Sequence, residues 1–578
     1  MRLGVEFHRQ GAFAPRMPTW RDAVAAALVL ASLGLAGLGF RHMAEPSALA
    51  APQAISLSPL VLPSYLLHTT LRMFIALAAS LFFTLTYATL AAKSRRAEMV
   101  LIPLLDVLQS VPVLGYLTFT VVFFVSLMPG SVLGPELAAI FAIFTSQAWN
   151  MAFSFYQTLR TVPLDLDEAC RGFRFSAWQR FWRLEVPFAM PGLIWNMMMS
   201  MSGGWFFVVA SEAISVGSTT YSLPGIGSYV AKAIAEQDLS AVIYAIAAMT
   251  IAILLYDQLL FRPLVAWGDK FRAEQTAAQV VPKSLVLDLF RRAEFLRRLG
   301  APVGHGINRL TRLRLAPLAA WPRRTSHLIP QSLGDALWFG AIAVLLIYVL
   351  WQLVRFGATE LTVADVETAV GCGLLTLLRV VVLLVLATLI WVPIGVHVGL
   401  RPKLAEKIQP LAQFLAAFPA NLLFPIVVLM LVRWRLDPQI WLSGLMILGT
   451  QWYILFNVVA GTTAFPSDFR EVAATFRIRG RQWWRKVMLP GIFPYYVTGA
   501  ITAWGGAWNA SIVAETVSWG DTKLTATGLG SYIARMTEAG DYPRVALGIA
   551  VMSALVIIVN RLVWRPLYAF AERRVRLD

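Results

Sequence analysis

This sequence is poor in charged residues and almost free of cysteine. Of its 578 residues only 14% are charged, two are cysteine and six are histidine. Soluble globular domains carry about 25% charged residues, so an ordinary soluble fold is excluded. Cys170 and Cys372 cannot build a disulfide framework, and no metal-ligand spacing surrounds them. We therefore expect no metal site and two inert, packing cysteines.

The sequence also lacks the patterns of common catalytic sites. It contains no G-x-x-x-x-G-K-[ST] phosphate-binding loop, so it cannot supply ATP hydrolysis itself. No Ser-His-Asp arrangement, metal cluster or carboxylate pair recurs in a way that suggests membrane enzymology. We expect a chain that is not an enzyme and binds no cofactor of its own.

What the sequence has in excess is apolar residues. It is 58% hydrophobic, with a mean hydropathy of +0.65. These residues form runs of about 20, the length of a transmembrane helix, and not the short alternating segments of a membrane barrel. The sequence predicts an all-α integral membrane protein with about 12 spans. They lie near 22–40, 65–92, 100–128, 134–158, 190–212, 240–262, 334–355, 366–400, 408–434, 439–462, 492–515 and 543–563.

The net charge of +17 is explained by membrane topology. With both termini in the cytoplasm, most lysines and arginines fall on the cytoplasmic side, as the positive-inside rule requires. We expect a multi-pass protein of a bacterial inner membrane, in contact with the lipid bilayer and with no nucleic-acid partner. Ala48-Leu49-Ala50 resembles a signal-peptide cleavage site, but the first apolar run is long, which favours a retained anchor.

One segment occurs twice. It begins at Glu168 and again at Glu471, and each glutamate is followed at the same distance by a proline, Pro187 and Pro490. Other matches at nearly the same offset extend the duplication over the chain. They pair Thr69–Arg72 with Thr376–Arg379, Pro103 and Pro112 with Pro410 and Pro419, and Gly227–Tyr229 with Gly530–Tyr532.

The duplication divides the chain into two parallel repeats. Each half holds six predicted spans, so both halves begin and end on the same side and enclose a central seam. We predict a first repeat at 1–262, a basic cytosolic linker at 263–333 and a second repeat at 334–578. Leucines at helical spacing in the linker indicate either a basic amphipathic helix on anionic lipid or a solvated spacer.

The repeated segment resembles the EAA loop of bacterial ABC importer permeases, through Glu168-Ala169-Cys170 and Glu471-Val472-Ala473-Ala474. Ser176–Arg183 looks like the nitrate, sulfonate and taurine branch. In that family the loop folds into short helices that sit in clefts of cytosolic ATPases. The resemblance implies a fold like the transmembrane domain of type I ABC importers. It also implies two cytosolic ATPase subunits that hold ATP and Mg²⁺, and an extracytoplasmic substrate-binding protein.

The resemblance marks a set of residues for ATPase coupling. They are Glu168, Ala169, Cys170, Gly172, Arg174, Pro187, Glu471, Val472, Ala473, Ala474, Arg477 and Pro490. One departure concerns the turn. The family has a glycine six residues after the glutamate, where this chain has Arg174 and Arg477. Gly172 and Gly480 are the candidates to relieve that turn.

Four charged residues at matching positions are candidates for a gate. Arg72 and Arg379 lie one to two turns inside their spans, and Glu212 and Glu515 close matching spans at the same depth. Charges within spans usually need partners, so we predict the pairs Arg72–Glu212 and Arg379–Glu515. Two alternatives stay open: the arginines contact an anionic solute, or each charge snorkels to the interface.

Matching polar and aromatic residues within apolar spans are further candidates for the solute path. Gln147 matches Gln451, and Trp205 matches Trp508. Such side chains either line the path or bond across helices.

The function expected from these features is the permease subunit of an ATP-driven ABC importer for a small anion, working by alternating access. An ion-coupled secondary transporter with two six-span halves is the main alternative. A membrane enzyme is a third class, and it lacks the polar cluster that it would need.

Overall fold

The computed structural model describes residues 55–216, 219–271, 285–292, 331–463, 465 and 467–574, with single positions at 24–34 and most positions at 302–313. Packing groups the chain into two compact units. One comprises 1–38, 163–191 and 257–319, and it contains the first repeated loop. The other comprises 39–162, 192–256 and 320–578, and it contains the second loop and most of the helices of both halves.

The described chain is helical nearly throughout. The α-helices of the first half are Leu62–Lys93, Arg95–Ser110, Val113–Leu127, Leu133–Arg160, Leu164–Gly172, Ala177–Arg180, Val186–Glu212, Ile226–Ala235, Leu239–Tyr256 and Arg262–Gly268. The linker contains helix Leu285–Arg292. Those of the second half are Gln331–Glu360, Val363–Gly399, Pro402–Ala417, Phe424–Trp434, Pro438–Trp441, Ser443–Leu448, Trp452–Thr463, Ser467–Thr475, Gly480–Trp483, Leu489–Ala514, Leu529–Glu538, Tyr542–Val559 and Arg565–Arg574.

Short π-helical segments also repeat. Phe181–Glu185 and Trp484–Met488 each join a repeated loop to the following span, and Asp257–Phe261 and Asn560–Trp564 extend the last spans. The members of each pair occupy equivalent positions in the two halves, at the same offset as Glu168 and Glu471. A π-turn adds one residue to a helical turn and often marks a functional site.

Among the described residues, six helices are long and apolar enough to cross a membrane, or up to nine if each bent pair is one span. They cover the predicted spans at 65–92, 134–158, 190–212, 240–262, 366–400 and 543–563. Helix Gln331–Glu360 covers the span predicted at 334–355. The span predicted at 22–40 lies largely outside the described residues.

The predicted spans at 100–128 and 408–434 are not straight crossings, and this corrects the sequence-based expectation. The first is bent by 100° between Ser110 and Val113, and the second by 80° between Ala417 and Ala420. Pro112 and Pro419 stand at these bends in extended backbone. Proline removes a helical hydrogen bond and disfavours helix in the residue before it, so the helix ends there.

Two short β-hairpins add to the all-α architecture. Ala213–Val216 pairs with Thr219–Ser222, and Thr516–Trp519 pairs with Thr522–Thr525. In each half the hairpin follows the span that ends at the candidate gate glutamate. The amide of Leu223 donates to the Glu212 carbonyl at 2.8 Å, and Ala526 makes the same bond to Glu515.

Small residues allow close helix packing in the larger unit. A Cβ at Gly395 would lie 2.7 Å from Val458, and one at Gly399 would lie 2.6 Å from Thr462. These glycines form a G-x-x-x-G step, which lets membrane helices approach backbone to backbone.

The two halves also contact each other directly within the larger unit. The Val113 amide donates to the Asn509 Oδ1 at 2.7 Å. Trp195 stacks on Phe456 with ring centroids 5.8 Å apart. The seam predicted from the duplication is therefore a packed interface between the repeats.

Candidate functional site: repeated loops and charge clusters

The first repeated loop is a helix, a tight turn and a second short helix. Helix Leu164–Gly172 ends in a turn at Arg174, whose φ is 53°. The Phe175 amide donates to the Cys170 carbonyl at 3.0 Å, and the Arg174 amide donates to the Arg171 carbonyl at 2.9 Å. This pair of bonds is the Schellman arrangement that closes a helix through one left-handed residue. Ser176 and Gln179 then cap the next helix reciprocally.

The second repeated loop has the same backbone. Helix Ser467–Thr475 ends in a turn at Arg477, whose φ is 52°, and the Ile478 amide donates to the Ala473 carbonyl at 2.8 Å. Arginine therefore occupies the left-handed position in both loops. This conformation costs a non-glycine residue about 1–2 kcal/mol in conformational energy, a cost that glycine does not have. Gly480 also has a positive φ, of 57°, whereas Gly172 lies within its helix. Neither glycine replaces arginine at the left-handed position, because Arg174 and Arg477 have nearly the same positive φ.

Both loops present the same side chains to the solvent. Glu168 and Glu471 are exposed. Phe173 and Phe476, just before the left-handed arginines, are each 74% exposed. Exposed aromatic side chains favour protein interfaces. These phenylalanines were not among the predicted site residues, although their equivalent positions in the two copies of the loop are a signal for them.

The loop tryptophans play a different part. Trp178 contacts Trp182 with ring centroids 5.7 Å apart, and Trp483 contacts Trp484 at 5.5 Å. All four are half-buried, so they pack the loops internally. The Trp178 Nε1 also donates to the Leu310 carbonyl at 2.8 Å, which ties the first loop to the linker.

The other residues predicted for ATPase coupling differ in their solvent exposure. Ala169, Val472 and Ala474 are exposed, whereas Ala473 is buried. Cys170 is half-buried, and burial raises the pKa of its thiol, which keeps it protonated. Pro187 and Pro490 lie at the second position of the spans that follow the loops.

Only the first loop contains a described cluster of ion pairs. Asp167 is nearly buried, 2.8 Å from both Arg171 and Arg180, and Arg180 also lies 3.0 Å from Glu185. This cluster was not predicted from the sequence. The positions that match Asp167, Arg180 and Glu185 in the second loop hold Arg470, Trp483 and Met488. These acidic and basic residues therefore do not recur.

The Arg72–Glu212 pair predicted from the repeat is present. Arg72 is fully buried and lies 2.7 Å from Glu212. Its Nε and Nη2 also donate to both carboxylate oxygens of Glu136, each at 2.6 Å, and its Nη1 donates to the Pro224 carbonyl. The Gly227 amide donates to the other oxygen of Glu212. One guanidinium therefore joins two carboxylates, and every one of its nitrogens has a protein acceptor.

The Arg379–Glu515 pair is also present, with a looser geometry. The nearest atoms are 3.3 Å apart, and the Arg379 side chain is 15% exposed. Arg379 donates to the Thr527 carbonyl and to the Oε1 of Gln439. Glu515 accepts from the Thr376 hydroxyl at 2.7 Å and from the Ser531 amide at 3.0 Å. Gln439 takes the place of Glu136, at the equivalent position of the second repeat.

This geometry bears on the alternatives for the two arginines. Arg72 does not snorkel, because it is fully buried among protein acceptors. A solute anion would have to displace Glu136 or Glu212 to reach it. The geometry therefore favours bracing over solute contact at Arg72. Glu136 was not predicted as a partner of Arg72, because the matching position of the second repeat holds an uncharged glutamine, Gln439.

The four polar and aromatic path candidates contact neighbouring helices. Gln147 is fully buried and contacts Ser80 and Met73. Gln451 accepts from the Trp391 indole at 2.9 Å. Trp205 packs on Tyr256 and Trp508 on Trp504, and both are almost completely buried. A role in the solute path stays a prediction for them.

Comparison with known families gives two matches in this chain. The model for "binding-protein-dependent transport system inner membrane component" matches residues 84–261 and 391–577. Each match contains one repeated loop and one of the two candidate gate glutamates, Glu212 or Glu515.

Individual relatives match this chain at under 30% identity. The chain is 29% identical over 178 residues to the bicarbonate transport system permease protein CmpB of Synechococcus elongatus, and this match covers 31% of the chain and 61% of the relative. It is 27% identical over 188 residues to the nitrate import permease protein NrtB of Leptolyngbya laminosa, covering 32% and 64%. It is 29% identical over 165 residues to the glycine betaine/proline betaine transport system permease protein ProW of Escherichia coli, covering 28% and 42%. The chain thus spans about three fifths of the length of the first two relatives.

Proposed function

This chain belongs to the family of binding-protein-dependent transport system inner membrane components, and from that premise we propose that it is the permease subunit of an ATP-driven importer. Both halves of the permease lie in one chain. The energy comes from two cytosolic ATPase subunits that hold ATP and Mg²⁺, and an extracytoplasmic binding protein delivers the solute. Bicarbonate and nitrate in the names of relatives support a small anion as the solute.

The observation that carries this proposal is the pair of equivalent loop tips. Each tip has an exposed glutamate and a 74% exposed phenylalanine beside a left-handed arginine. A strained backbone position that recurs in both halves suits a site that must fit a partner. Each tip fits a cleft on one ATPase subunit, with Phe173 or Phe476 as the apolar anchor.

The connection from each loop to its span supports a mechanical role. A short π-segment, Phe181–Glu185 or Trp484–Met488, leads from the loop into the span that ends at Glu212 or Glu515. Movement of a docked loop therefore acts on a helix that reaches the braced end of the same half. ATP binding and hydrolysis need to shift the bundle between two packings by only a few kcal/mol to alternate access.

Replacement of Phe173 and Phe476 together by alanine tests this proposal. Truncation of an interface anchor costs about 2 kcal/mol or more, so we expect capture of the ATPase to weaken by roughly 30-fold per site. ATP-driven uptake should fall in parallel. The measurements are co-purification of the ATPase from membranes and uptake into proteoliposomes.

Phe82→Ala is the matched control, because Phe82 is 72% exposed on a spanning helix outside both loops. It should leave both measurements unchanged. Full ATPase capture and full uptake by the double loop variant would contradict the docking role.

A further inference from the structure

A small cavity lies between the two halves within the larger unit. Its volume is about 80 Å³, and both halves contribute to its wall. The first half supplies Gly203 and Phe206 from helix Val186–Glu212. The second half supplies Gly506 and Asn509 from the equivalent helix, Leu489–Ala514. Gly203 and Gly506 occupy equivalent positions in the two repeats, so the cavity lies on the seam.

The second half also breaks a helix at this cavity. Its helix pair Pro438–Leu448 and Trp452–Thr463 is bent by 43°, whereas the matching helix of the first half, Leu133–Arg160, is continuous. Gly449 and Thr450, in the break, line the cavity. Non-helical backbone at membrane depth is tolerated where it is buried in protein or lines a cavity, and broken helices form solute sites in other transporters.

Two hydroxyl groups at the cavity have no protein partner among the described residues. The Tyr453 side chain lines the cavity, and the residue is only 8% exposed. Its hydroxyl makes no hydrogen bond to another described residue. The Thr450 Oγ1 is buried and unpaired as well. An unpaired buried polar group is costly, so its presence at a cavity indicates a ligand that pairs with it. No residue in the described lining of this cavity is acidic or basic.

We propose that this seam cavity is the transit site for the solute, and that it holds a small anion through hydroxyl hydrogen bonds without a counter-charge. The inference rests on the proposed function and adds the residues that meet the solute. Tyr453 and Thr450 each offer one O–H donor, which suits a solute that only accepts hydrogen bonds. A transported solute must bind well enough to enter and weakly enough to leave. A neutral lining meets that need better than an arginine.

The two glycines set the size of the site. A Cβ at Gly203 would lie 3.6 Å from the Tyr453 hydroxyl, which is an ordinary contact. Gly203→Ala therefore fits the fold while it takes space from the cavity. A Cβ at Gly506 would lie 2.3 Å from Thr450, so the same change there disturbs the packing. Gly203→Ala is the informative variant.

The test measures ATP-driven uptake of bicarbonate, nitrate and the larger glycine betaine into proteoliposomes that contain the chain and its ATPase. Tyr453→Phe removes only the hydroxyl. Because hydrogen bonds to charged groups are among the stronger ones, we expect uptake of the transported anion below saturation to fall roughly tenfold or more. Gly203→Ala should lower uptake more for a larger solute than for a smaller one. ATPase capture should be unchanged in both variants.

Tyr496→Phe is the matched control, because the Tyr496 hydroxyl is paired with Thr388 at 3.1 Å and Tyr496 is absent from the seam lining. Uptake by Tyr453→Phe and Gly203→Ala equal to that of the parent chain would overturn the transit site and leave the proposed function standing. Uptake that needs no ATPase but still depends on Tyr453 would contradict the proposed function and retain the transit site.

Discussion

The two halves share a fold but hold their charges differently. In the first half Arg72 is fully buried between Glu136 and Glu212, at distances of 2.6 and 2.7 Å. In the second half Arg379 meets one carboxylate at 3.3 Å and an amide, and it is partly exposed. The first cluster carries one excess negative charge, and the second is neutral. The two halves therefore keep the position of the arginine–glutamate pair but differ in its geometry.

The first half is also the more tightly held of the two at its loop, and the second half is the less regular of the two at the seam. Ion pairs around Asp167 and a hydrogen bond to the linker hold the first loop. In the second half the helix that matches Leu133–Arg160 is broken, and its break lines the seam cavity. The first half therefore has the closer ion pairs, both at Arg72 and in its loop. The second half has the longer Arg379–Glu515 pair and supplies the two hydroxyls, of Thr450 and Tyr453, at the seam cavity.

The largest effect should come from removal of Arg72, and removal of Arg379 is the comparison. Arg72→Met leaves two carboxylates buried without their counter-charge, and the free energy of unfolding should fall by about 3–5 kcal/mol. Arg379→Met should lower it by only about 1–2 kcal/mol, because Glu515 keeps its bonds from Thr376 and Ser531. Denaturant titration of the purified variants in detergent measures both. Equal losses would remove the distinction between the two braces.

A smaller effect should follow from exchange of the residue that differs between the clusters. Glu136→Gln makes the first cluster resemble the second. It replaces one of the two oxygens that accept from Arg72 by an amide donor, so one bond is lost and the other is no longer made to a charged acceptor. We expect a loss of about 2 kcal/mol in the free energy of unfolding. Gln439→Glu is the reciprocal control, and it should change that energy by less than about 1 kcal/mol, since a charge is gained while a donor bond to Thr527 is lost. A larger loss from the second change than from the first would reverse the predicted order.

The smallest effect should be the same in both halves. Arg174→Gly and Arg477→Gly each remove a non-glycine residue from a left-handed position. Each should stabilise its loop by about 0.5–1 kcal/mol, after allowance for the extra freedom of glycine in the unfolded chain. Amide hydrogen exchange in the loops measures this change. Slower exchange in only one loop would show that the two turns are not equivalent.

The loops and the two arginine–glutamate pairs could be predicted because the duplication repeats their residues at a nearly constant sequence offset. Glu168 and Glu471 marked the loops, and the shared positions of Arg72 and Arg379 led to their glutamate partners. Glu136 and Asp167 stayed hidden because their matches are Gln439 and Arg470, so no charge recurs there.

The bends could not be predicted from proline alone. Pro103 and Pro410 lie inside helices, whereas Pro112 and Pro419 stand at sharp bends. Membrane helices tolerate proline when neighbouring groups satisfy the freed backbone, and that depends on tertiary packing. The cavity beside Tyr453 is likewise formed by helices of both halves, so no single segment encodes it.

Uptake of bicarbonate or nitrate by proteoliposomes with collapsed ion gradients tests the energy source most directly. The chain is reconstituted with its ATPase, and ATP is supplied on the side of the repeated loops. We predict uptake that requires both ATP and the ATPase and that persists without any ion gradient. Uptake driven by an ion gradient in the absence of the ATPase would contradict the assignment of this chain as the permease of an ATP-driven importer.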